Sequence, residues 1–96
     1  MSAYIIFIRR STSDQAELDT YAAMTTAARE GHEIKALHKY GRFETREGEP
    51  VEGVVLLEFP TFEAAQAWYD SPKYQEAAQH RFKGSDYQMV IVDGLT

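Results

Sequence analysis

Three polar side chains with useful chemistry fall at alternate positions of one segment. Ile34 to Thr45 reads as a strand, and its even side carries His38, Tyr40 and Arg42 after Ile34 and Ala36. A histidine titrates near neutral pH and can serve as a general base, and a tyrosine hydroxyl can donate to a carbonyl or an enolate. A solvated face of an edge strand explains the same pattern. Further along, Arg81 shares a helical face with Tyr74, Ala77 and Ala78, so its guanidinium can reach inward to a carboxylate, whether that of Asp70, of Glu58 or of a ligand. Capping of a helix C-terminus by His80 and Arg81 is the competing explanation. His38 as base with Tyr40 and Arg81 as oxyanion partners forms the candidate catalytic set.

Phe59, Trp68, Tyr69 and Tyr74, with Phe62, cluster around a strand-to-helix turn. Rings at this spacing pack a core, and the same rings can line a pocket for a flat organic ligand. Metal chemistry finds no support. His32 has no second ligand one turn away, and the absence of cysteine removes thiolate catalysis, disulfides and cysteine-bound metal sites together. No nucleophile paired with a base and no phosphate loop can be read, and no cofactor is expected.

The chain has 96 residues with 44% hydrophobic and 26% charged, a composition that folds as one soluble domain (1–96). Its net charge of −5 and its scattered bases, Arg9-Arg10 apart, argue against nucleic acid and membrane surfaces as partners. The start, MSAYIIFIRR, has its apolar block before its basic pair, the reverse of a secretory signal, so a cytoplasmic location is expected.

The elements that must position these residues follow from periodicity. Ala3 to Ile8 reads as a strand apolar on both sides. Thr12, Ser13 and Asp14 offer N-caps, Thr12 with Gln15 as a capping box, for a helix that Gly31 ends. Gly48-Glu49-Pro50 joins the second strand to a third, Gly53 to Phe59, as an antiparallel hairpin. After Pro60, Thr61 caps a short helix through Tyr69, and Asp70-Ser71-Pro72 restarts a second piece that Lys83-Gly84 ends. Within that piece Phe82 falls on the face of Arg81. Tyr87 to Val92 is the last strand.

The order βαββαβ predicts a ferredoxin-like α+β fold, with a four-stranded antiparallel sheet and helices on one face. Three strands are apolar on both sides, whereas a sheet with one wet face alternates with polar residues. Something must cover the second face, and a homodimer through that face is the simplest solution because a two-fold interface complements itself.

The run EFPTFEAAQAWYDSPKYQ followed by His80-Arg81-Phe82, with YIIFIRR before and DYQMVIVDG after, resembles the domain-of-unknown-function family 1330. That resemblance implies a dimeric α+β barrel of two ferredoxin-like protomers packed sheet to sheet, and implies no activity. The family pattern has a Gly-Gly pair after the Tyr of strand two, whereas here Gly41 is followed by Arg42. Relatives of the wider fold include cofactor-free monooxygenases, an isomerase, haem-binding enzymes and non-catalytic ligand-binding modules. Two functions stand side by side: a dimeric domain binding a small organic ligand, an aromatic one among the candidates, between sheet and helices, and a cofactor-independent oxygenase or isomerase acting on an aromatic or enolisable carbonyl compound.

Overall fold

The computed structural model describes residues 2–95. Its elements are β1 (Ala3–Thr12), α1 (Gln15–Ala28), β2 (Lys35–Lys39), β3 (Gly53–Phe59), α2 (Phe62–Asp70), α3 (Pro72–Gly84) and β4 (Ser85–Asp93). The strands form one antiparallel sheet in the order β2-β3-β1-β4. This is the ferredoxin-like α+β fold expected from the element order.

Alternation along the strands divides the sheet into two faces. Ile5, Phe7, Val55, Leu57 and Phe59 are buried against Ala28, Ala65, Trp68, Tyr74 and Ala78 of the helices. On the opposite face Ile6, Ile8, Val54 and Leu56 are half-buried, and Val90 and Val92 are exposed.

Local chemistry sets the helix boundaries. Thr61 accepts a hydrogen bond from the Ala64 amide at 3.0 Å, which starts α2. Ser71 closes α2 and opens α3 at once, since its hydroxyl donates to the Trp68 carbonyl (2.7 Å) and accepts from the Tyr74 amide (3.3 Å). Pro72, at the first position of α3, has no amide to leave unpaired. The cap of α1 is Asp14, which accepts from the Ala16 amide at 3.1 Å. Thr12 does not form the expected capping box, because β1 runs on to Thr12 and its hydroxyl donates to Glu52 instead (2.6 Å).

Two further expectations are corrected. The second strand stops at Lys39 rather than Thr45, because a bulge lies between Ala36 and His38 and Tyr40 takes a left-handed backbone with φ 54°. Phe82 does not share the buried face of α3 and is 51% exposed.

The helix pair α1 and α3 is held at its ends. Gly84 sits so close to the start of α1 that a Cβ there would lie 2.6 Å from the Asp14 carbonyl oxygen. The Gly84 carbonyl accepts from the Ser13 and Asp14 amides at 2.8 and 3.0 Å. Next to this crossing, His80 Nδ1 lies 2.7 Å from Glu17 Oε2. α1 therefore leans on α3 and meets the core of the sheet through Ala28, with Tyr21 packed beside it. Its sheet-facing residues Ala22 and Thr25 are too short to close the gap that remains.

Candidate functional site

That gap is a cavity of about 320 Å³ between α1 and the helix-side face of the sheet. Leu18, Phe7, Val55, Leu57 and Trp68 make its apolar wall, and Tyr21 and Ala22 of α1 cover it. Its polar groups are Arg9, Arg29, Lys39, Tyr40, Tyr87, Gln15, Asp19, Thr25 and Thr26. It reaches the edge strand β2, where Lys39 pairs with Val55.

Arg9 and Tyr87 are cross-strand partners on β1 and β4, and Gly53 of β3 is the other partner of Arg9. With no side chain, Gly53 lets the ring of Tyr40 lie on its backbone; a Cβ there would come within 2.6 Å of that ring. The left-handed backbone of Tyr40 turns its side chain onto this spot, and its hydroxyl shares a short hydrogen bond with that of Tyr87. A non-glycine residue in that conformation costs about 1–3 kcal/mol and persists only where its surroundings over-determine it. Here Gly53, Tyr87 and the Arg9 guanidinium, 5.0 Å from the ring centre, do so.

Behind this wall lies Arg81, 4% exposed. Its guanidinium stands 4.8–5.7 Å from the ring centres of Phe7, Tyr21, Phe82 and Tyr87. Burial disfavours its charge, but the neighbouring Tyr74 and Tyr21 side chains outweigh that and raise its pKa further, so it remains a cation. Tyr21 and Tyr74 join hydroxyls at 2.8 Å. Burial, and for Tyr21 also the neighbouring Tyr74, pushes both phenols well above their ordinary value; Arg81 opposes the shift at Tyr74 without cancelling it. Burial and the bond to Tyr40 raise Tyr87 likewise. At neutral pH these tyrosines keep their protons and act as hydrogen-bond partners, not as bases.

The register separates the candidate catalytic set. His38 pairs with Leu56, on the sheet face away from the helices, because the bulge after Ala36 shifts the alternation of β2. Its Nε2 has no hydrogen-bond partner among the described residues. Tyr40 lines the cavity, and Arg81 stands behind the rings of Phe7, Tyr21 and Tyr87 that line it. Of the four aromatics expected at a ligand, Trp68 lines the cavity and Tyr74 is fully buried beneath it, with ring centres 4.2 Å apart. Tyr69 packs on Tyr74 outside the cavity, and Phe59 lines a separate hollow of about 180 Å³ beside Pro60. Sequence reasoning missed Arg9 and Tyr87. Odd-position alternation from Ile5 and Phe7 to Arg9 was the available signal for the first.

Among the described residues no group of three or more potential metal ligands occurs, and no helix is long and apolar enough to cross a membrane.

The fold has solved counterparts. A protein of unknown function from Rhodopseudomonas palustris superposes with a TM-score of 0.77 at 20% identity, covering 99% of this chain and 83% of its own. A dimeric ferredoxin-like protein of unknown function from Jannaschia sp. CCS1 gives 0.68 at 14% identity, covering 98% and 100%. SnoaB, a cofactor-independent oxygenase from Streptomyces nogalater, gives 0.62 at 11% identity, covering 99% and 93%. A search of curated proteins returns no match. The family model described as domain of unknown function (DUF1330) matches residues 2–95, and the chain belongs to that family.

Proposed function

We propose that the protein is a binding domain for a small organic ligand held between α1 and the sheet, working as a homodimer joined through the outer sheet face. The observation that carries the ligand reading is the cavity itself, about 320 Å³, with an apolar wall from the sheet and Trp68 and polar side chains from α1 and the strands around it. The alternative, a cofactor-independent oxygenase or isomerase acting on an aromatic or enolisable carbonyl compound, needs a base beside the ligand. His38 stands on the other sheet face, the buried tyrosines hold their protons, and the one carboxylate lining the cavity, Asp19, accepts from the Gln15 amide. The likeness to SnoaB is one of fold at 11% identity. Binding without chemistry is therefore the better reading.

Trp68 is the single tryptophan and lines the cavity, so its fluorescence reports occupancy. Titration with a panel of one-ring aromatic compounds is expected to shift Trp68 emission saturably. Ala22→Phe, on the partly exposed helix that covers the cavity, fills the space without adding a second tryptophan and is expected to abolish that response while leaving the circular dichroism melt in place. A response that survives the filled cavity would place the ligand elsewhere.

A further inference from the structure

The unmet hydrogen-bonding demand around the cavity has one sign. Four buried side-chain atoms lack a partner among the described residues: Arg9 Nε, His38 Nε2, Trp68 Nε1 and Arg81 Nε. Setting aside His38 on the far face, the other three are all N–H donors, and all lie in or directly behind the cavity wall. Arg9 Nε forms an ion pair with Glu52 Oε1 at 3.6 Å, beyond hydrogen-bond reach, and that oxygen also accepts from the Thr12 hydroxyl. Buried donors left unpaired are costly, and an acceptor brought by a ligand removes the cost.

Charge points the same way. Within a chain of net charge −5, the cavity is lined by three cations, Arg9, Arg29 and Lys39, against one carboxylate, Asp19, which holds the Gln15 amide. Arg81 adds a fourth positive charge from behind the rings of Tyr21 and Tyr87.

Resting on the binding reading above, we infer that the ligand is a flat aromatic carboxylate, its ring body against Phe7, Leu57 and Trp68 and its acid group at the Arg9, Lys39 and Tyr40 end. An anion there meets charge-assisted donors and competes at Arg9 only with the 3.6 Å ion pair to Glu52, which is too long for a hydrogen bond. The cavity volume suits a body of one or two rings.

Calorimetric titration with 2-naphthoate, the neutral 2-naphthamide and the cationic 2-naphthylmethylamine tests this. The acid is expected to bind at least about tenfold tighter than the amide at low salt, with the amine weakest. Lys39→Gln, at an exposed edge position, and Arg9→Gln are each expected to cut that preference to about threefold or less. Equal binding of acid and amide, or tighter binding of the amine, overturns the carboxylate inference and leaves the cavity reading standing. A preference untouched in both variants overturns the placing of the acid group. Binding of none of the three probes overturns the cavity reading and the inference together.

Discussion

A buried arginine ordinarily signals a buried carboxylate, because an unpaired charge is expensive to bury. Arg81 breaks that expectation. Asp70 is exposed at the end of α2, and Glu58 lies on the outer face accepting from Tyr4 at 3.4 Å. Ring faces and tyrosine oxygens take the place of the counterion, a cation–π solution that the spacing of Tyr74, Ala77, Ala78 and Arg81 could orient but not identify. The pairing of His80 with Glu17 was equally out of reach, since 63 residues separate them. The tyrosines around Arg81 carry a pH prediction. Tyr21, Tyr74 and Tyr87 all have pKa values raised in the folded state above the ordinary 10.0. Below that value folded and unfolded chains both hold these protons, and stability is independent of them. Above it the unfolded chain releases protons that the folded one retains, so stability falls as pH rises, by at most about 1.4 kcal/mol per pH unit for each phenol. Denaturant midpoints are expected to stay level to about pH 9 and to drop steeply beyond pH 10. Tyr74→Phe should flatten part of that slope, and an unchanged slope would remove Tyr74 from the account.

Elements with strong local signals were legible. β1, β3, β4 and the broken second helix follow from alternation, from Pro60 and from the Asp70-Ser71-Pro72 restart, because each signal acts within a few residues of its effect. β2 was not, since its length depends on a bulge and on the left-handed Tyr40, which are set by contacts with Gly53 and Tyr87 on other strands. The cavity has a similar origin: it exists because α1 is anchored to α3 and carries short residues toward the sheet. Gly84 is the tightest point of that anchor. Alanine there gains about 1 kcal/mol of helix propensity. It also drives a Cβ to 2.6 Å from Asp14 O and 2.7 Å from Glu17 Cβ, and overpacking of this kind costs about 1–3 kcal/mol. Because one of the two atoms is backbone, the clash is not relieved by a rotamer change. Gly84→Ala is therefore expected to lower stability by about 1 kcal/mol in urea unfolding and to loosen the His80–Glu17 contact, while Gly31→Ala leaves that contact intact. A Gly84→Ala protein as stable as the parent would mean that the close approach does not limit the crossing.

At the scale of the molecule the decisive feature is the outer sheet face. Across its middle, His38, Leu56, Ile6 and Val90 form one cross-strand row, with Ile8, Val54 and Val92 beside it. The apolar side chains among them are half-buried or exposed, and none of the described helices covers them. Soluble monomers seldom carry a continuous apolar patch of this kind, and in the proposed homodimer a second copy related by a two-fold axis would cover it with the same residues. In that dimer His38, on the edge strand, would stand at the margin of the interface, away from the proposed ligand site. Charge at the centre of the row separates assembly from binding. Ile6→Arg puts two like charges near the axis, where their desolvation and repulsion oppose association, while Phe7 and Leu57 still point into the cavity. Sedimentation equilibrium at micromolar concentration is expected to give a dimer for the parent and a monomer for Ile6→Arg, with Trp68 still reporting the ligand in both. A monomeric parent would refute the dimer and leave the cavity untouched. Loss of ligand response in a folded Ile6→Arg monomer would instead show that the two sheets, packed face to face, are what hold α1 at the height that keeps the cavity open.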